Sequence, residues 1–215
     1  MTISLLFAMA LAGMDRVHAC TAEGLHNVTA IVWADASLTS NTLIPAQRVT
    51  NDIFCQIGIH IVWERARHGD WARTTSERRA GVAIEVRLKS TAFLGGRVLP
   101  CASEDALGCA IPDAKLGGSV YVYYDRVLEL AGGPNRKMAA ILLGHVFAHE
   151  IAHVLEGQAR HSPTALMKAH WDEHDYAAMA VRPLPLDPQD IELIEKRLSA
   201  RSSGPEWARK ARCPK

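Results

Sequence analysis

The five cysteines of this 215-residue chain, Cys20, Cys55, Cys101, Cys109 and Cys213, include no C-x-x-C pair, which excludes a zinc knot built on cysteine. Net charge is also missing. The formal value of +1 removes the electrostatic case for a nucleic acid or an anionic membrane surface as partner. Arginines cluster only locally, at Arg65, Arg67, Arg73, Arg78 and Arg79 and again in the C-terminal tail, and read as a solvated loop and a solvated tail. There is no internal repeat and no low-complexity tract. The N-terminal apolar run, ISLLFAMALAG, is too short to cross a bilayer as a helix. What remains, 48% hydrophobic and 22% charged residues, is the composition of one well-cored globular domain.

That apolar run is followed by MDRVHA, in which Val17-x-Ala19 fits the small-residue rule for signal cleavage before Cys20. Residues 1–19 are therefore expected to be a signal peptide, 20–215 a single domain, and the stretch from about 201 a basic tail. The expected location is secreted or periplasmic, with a lipid anchor at Cys20 as an alternative that His18 disfavours. In an oxidising compartment Cys101 and Cys109 could close a short disulfide loop.

Along the chain, NVTAIVWA (27–34) is short, apolar and β-branched, as a strand requires. LIPAQRVTNDIFCQIG (43–58) spaces its apolar residues at helical intervals and stops at Gly58. IHIVWE (59–64) is a second strand, so the three form a β-α-β unit with parallel pairing. A polar, basic loop is expected over 65–80, and VAIEVRL (82–88) alternates as a half-exposed strand does. A short strand near GRVLPC, a strand over 118–127, a break at Gly132-Gly133-Pro134, a helix over 136–156 and a last helix over 187–200 complete an α+β order. His60, on the second strand, has no ligand partner near it in sequence and reads as a core or edge histidine.

The helix over 136–156 is apolar almost all round, yet His145, His149 and His153 form one stripe along it. Glu150 follows His149, about 100 degrees around the helix. Burying these groups without a metal would leave costly polar atoms, so His149-Glu150-x-x-His153 predicts a metal site. Two imidazoles one turn apart can share an ion, and the glutamate between them can reach a water on it. Zinc is the expected ion, because neutral imidazoles favour it. Three ligands on one straight helix cannot surround a tetrahedral ion, so His145 is expected to support the site or the core. For the third ligand the sequence offers His161, Glu173 and His170.

Residues 141–171 resemble the metzincin zinc peptidases, in which HExxH, a helix-ending glycine, a third histidine and a methionine-containing turn follow in order. Here these are Gly157, His161 and Met167, and the HS…ALM ending looks most like the matrix-metalloproteinase branch. The spacing departs from HExxHxxGxxH: Gly157 is four residues past His153 and His161 eight past it. That suggests an outlying branch near bacterial matrixin-like proteins. Glu173, twenty residues past His153, matches instead the spacing by which thermolysin-like enzymes place a glutamate ligand.

The resemblance implies an α+β, metzincin-like zincin fold. Its twisted mixed sheet would have about four to five strands, packed on an active-site helix and a second helix, with a C-terminal helix after the Met-turn. It would place an edge strand for an extended substrate within about 92–111. It further implies one catalytic Zn2+ on His149, His153 and His161, with Glu150 as general base of a zinc endopeptidase acting on peptide or protein substrates. Two other readings stand beside it: a non-catalytic zinc-containing or peptide-binding protein on the same scaffold, and a zinc hydrolase of a non-peptide amide. Oligomeric state is not legible.

Overall fold

Val82, Ile84, Val86 and Leu88 all point to one face, and all are buried. They form part of the centre of a five-stranded sheet in a computed structural model that describes residues 26–34, 40–66, 82–90, 105–114, 116–132 and 136–202. Strand β1 (His26–Trp33) leads into helix α1 (Ser40–Cys55) and returns as β2 (Ile59–Arg65). β3 (Val82–Lys89), β4 (Gly108–Pro112) and β5 (Gly118–Tyr123) follow, then the short α2 (Tyr124–Leu130) and the long α3 (Arg136–Glu156). The described residues close with α4 (Glu173–Val181) and α5 (Pro188–Ser202).

The sheet order is β2-β1-β3-β5-β4. β1 pairs in parallel with both β2 and β3, and β3 with β5, as expected where connections cross over through helices. Among the described strands only β4 runs antiparallel, alongside β5. Among the described residues the α+β mixed sheet has five strands, the upper number expected, and β4, the outermost of them on its side, begins within the 92–111 window. The presumed signal 1–19, Cys20, Cys101, Cys213, most of the 65–80 loop and the strand expected near 96–101 lie outside the described residues.

One expectation is corrected. The strand expected over 118–127 stops at Tyr123, and the next seven residues are helical. Tyr123, Val127 and Ala131 are buried at i, i+4 and i+8, a helical repeat that the preceding Val120-Val122 alternation masks.

α1 and α3 cover the same face of the sheet, and Phe54, Leu142, Phe147 and Ile151 fill the space between. The two helices touch backbone to backbone at Gly144, where a Cβ would lie 2.6 Å from the carbonyl oxygen of Ala46 and 2.6 Å from Cβ of Val49. Thr50 Oγ1, fully buried, donates to the Gly144 carbonyl at 3.0 Å. This crossing fixes α3 one residue before His145. α3 is also long and apolar enough to cross a membrane, with a mean hydropathy of 1.5, but 89% of that stretch is buried against the sheet and its neighbouring helices.

Cys55 and Cys109 are both disulfide-bonded. Cys55 ends α1 beside the β2 margin, whereas Cys109 lies in β4 at the opposite margin, four strand spacings or about 19 Å across. A disulfide spans at most about 7 Å between Cα atoms, so the two belong to separate bridges.

Candidate metal centre

His149 and His153 sit one turn apart on α3, and both are buried where the helix passes the end of the sheet. Their Nε2 atoms lie 3.0 Å apart. α3 ends because Gly157 takes a left-handed φ of 74°, and its N–H closes on the His153 carbonyl at 2.9 Å. Arg197 of α5 donates to the Val154 carbonyl and occupies the space a side chain at 157 would need. The chain then doubles back and delivers His161 to the other two. The three donor nitrogens all lie within 4.8 Å of one another.

Burial dominates the electrostatics. It pushes His149 down to about 4, with the nearby His161 adding to the effect. It pushes His153 down to about 3, helped by both other imidazoles. His161 is lowered in the same direction by burial, His170 and Arg160. All three rings are therefore neutral at pH 7, as a metal ligand must be. His149 Nδ1 lies 2.9 Å from the Leu166 carbonyl. A carbonyl only accepts, so Nδ1 carries the proton and the Nε2 lone pair faces the cluster.

Zinc–nitrogen distances of about 2.0–2.1 Å put tetrahedral ligand nitrogens about 3.3 Å apart. The separations here, from 3.0 Å upward within the 4.8 Å limit, bracket that value. The donor set fits a divalent ion, and three protein ligands leave a coordination position free, the catalytic rather than the structural pattern.

Glu150 is buried beside the histidines, and desolvation pushes its carboxyl up to about 8. Its side chain rests against Gly108 of β4, where an added Cβ would stand 2.7 Å from both Cγ and Oε1. Glu150 and the triad line a cleft of about 910 Å³, bounded by Leu107, Gly108, Val146, Trp171 and Tyr176. Met167 is fully buried below, on a turn closed by Ser162 N–H to the Met167 carbonyl at 2.8 Å and carrying Ala165 at φ 61°.

The other histidine of the stripe is fully committed elsewhere. His145 Nδ1 donates to the Ile141 carbonyl at 2.8 Å, and Nε2 accepts the Leu184 N–H at 3.1 Å. This is the supporting role expected of it. Glu173 does begin a helix, as a second-helix ligand would, but it is exposed and stands outside the triad, with Asp172 capping the helix. His170 is exposed on the cleft wall and also stands outside the group. Three site residues left no readable mark in the sequence: Gly108, whose lack of a side chain makes room for Glu150; Trp171, whose Nε1–H shares the Leu166 carbonyl at 3.1 Å; and Arg126, whose guanidinium lies 4.8 Å over the Tyr123 ring. Of these contacts, the one between Gly108 and Glu150 joins elements distant in sequence.

No protein-family model matches the chain, and no curated protein matches it in sequence. Among solved structures it is similar to an archaemetzincin from Methanopyrus kandleri, with 12% sequence identity and a TM-score of 0.47 over 83% of this chain and 98% of that one.

Proposed function

We propose that this chain is a zinc-dependent endopeptidase, with His149, His153 and His161 holding the ion and Glu150 as general base. The observation that carries the reading is the convergence of three neutral imidazole nitrogens within 4.8 Å, in one cleft with a buried carboxyl. A zinc ion held there would supply a Lewis acid that acidifies water and polarises a carbonyl. Glu150 then accepts the proton of the attacking water and returns it to the departing amine. Gly108 leaves room for its carboxyl beside the triad. Strand β4 borders the same cleft, with Gly108 against Glu150.

The deciding measurement pairs zinc content with peptide hydrolysis. Glu150→Gln should keep the metal and lose hydrolysis by at least about 100-fold. Hydrolysis that survives this change sinks the assignment of the base. Cleavage of non-peptide amides but not of a broad peptide library sinks the peptidase reading.

The protein is further proposed to act outside the cytoplasm. Disulfides at Cys55 and Cys109 support this, because such bridges persist in oxidising compartments. N-terminal sequencing of the mature protein should read from Cys20; an intact Met1 on the active protein would refute a cleaved signal.

A further inference from the structure

His161 differs from the other two members of the triad. It is exposed, it comes from a loop rather than a helix, and among the described residues nothing hydrogen-bonds its ring. Yet a third ligand that wanders cannot help to fix an ion. The residues on either side of it are both held by α5. Arg160 Nη2 and Ser162 Oγ both bond to one oxygen, Oδ1 of Asp190, the latter at 2.8 Å. Arg160 Nη1 also reaches Ser162 Oγ at 3.3 Å, which closes a three-membered ring of contacts around the ligand. Asp190 sits in the first turn of α5 with no exposed surface, and its Oδ2 accepts the Asp187 N–H at 3.3 Å. Ser162 N–H is tied in turn to the Met167 carbonyl.

Building on the zinc-site reading, we infer that Asp190 is a positioning residue for the third ligand. It clamps both sequence neighbours of His161 through one buried carboxylate. A buried carboxylate is held only where it is paired and hydrogen-bonded. Asp190 meets that requirement by binding residues 160 and 162, so the arrangement that satisfies the charge also fixes the backbone of 161. The clamp also accounts for the long bend after Gly157. The additional chain between glycine and ligand would leave His161 loosely held, and Arg160 lies in that stretch, bonded to α5.

The test uses the full, disulfide-bonded chain stripped of metal. Zinc affinity is measured by competition with a chromophoric chelator, the zinc-induced rise in Tm by calorimetry, and ligand geometry by the visible spectrum of bound Co2+. Asp190→Asn should weaken zinc by about tenfold, in the range seen when groups orienting a ligand are lost. It should also shrink the zinc-induced rise in Tm and move the Co2+ spectrum toward that of His161→Ala. A clamp that merely stabilised the fold would lower Tm equally with and without zinc and leave affinity and spectrum unchanged, which would overturn the inference. Should Asp190→Asn fail to fold, Arg160→Met and Ser162→Ala decide the matter, since each removes one arm. Unchanged zinc affinity in both overturns the inference, and weakened affinity in either supports it. If the wild-type chain binds no zinc at all, the metal reading itself fails and this inference with it.

Discussion

His149 donates its Nδ1–H to the carbonyl of Leu166, 2.9 Å away on the turn that carries Met167. The same carbonyl accepts Trp171 Nε1–H, and the Leu166 N–H is bonded to Pro185. One peptide of the turn thus sets the tautomer of a ligand on the helix, so the loop beneath the site decides which nitrogen is presented to an ion.

Zinc should stabilise the folded chain, because the three donors converge only when α3 and the 157–162 bend are both in place. At a free zinc concentration about 100-fold above Kd the gain is about 2.7 kcal/mol. Calorimetry with zinc and then with excess chelator should show Tm rise and fall accordingly. His161→Ala should remove most of the rise. A Tm indifferent to zinc in the wild type would exclude the site.

The metal-free protein should be most stable on a plateau near pH 4.5–6.5. His149 and His153 are held near 4 and 3 in the fold against about 6.5 unfolded, so their contribution is complete above pH 6.5 and lost as pH falls toward 3. Glu150 and Glu156 are raised, to about 8 and about 7, so theirs is complete below pH 4.5 and lost as pH climbs through those values. Denaturant midpoints taken from pH 3 to 9 should fall on both sides of the plateau. A midpoint still rising between pH 6.5 and 8 would contradict this.

Gly108→Ala should impair hydrolysis more than zinc binding. The new methyl would meet Glu150 Cγ and Oε1 at 2.7 Å and turn the carboxyl away from the cleft, at a cost of about 1 to 3 kcal/mol in strain. A fall in kcat with zinc content intact is the expected pattern; unaltered kcat would show that Glu150 has freedom to spare.

Glu156→Gln should stabilise the protein above neutral pH. Glu156 is buried at the end of α3, raised first by burial and then by the charge of Asp190, against the lowering pull of Arg160. A neutral amide avoids the cost of ionising there. The gain is about 1 to 2 kcal/mol at pH 8 after allowance for solvent screening, and it vanishes near pH 4. Equal gains at both pH values would place the cause elsewhere.

What the sequence revealed follows the range of the interactions involved. The bounds of α3, 136–156, were legible because its apolar run is long and ends at a glycine that does adopt left-handed φ. The β-α-β opening was legible for the same local reasons. β4 was not, because five residues within a stretch rich in glycine and small side chains carry no period, and its place is set by pairing with β5. α2 was hidden because Tyr123 and Tyr124 suit a strand and a helix equally. The triad could be proposed from spacing, but the choice among His161, Glu173 and His170 depended on where the chain turns after Gly157. Asp190, thirty residues from Arg160, had no local signature at all.

The crossing at Gly144 makes a simple demand on any library of variants. Since even a methyl there would drive into the Ala46 carbonyl and Val49, a scan scored by soluble yield should mark position 144 as intolerant while passing most changes at the exposed His161. Scored by hydrolysis, both positions should fail. The difference between the two maps would separate what this chain needs in order to exist from what it needs in order to act.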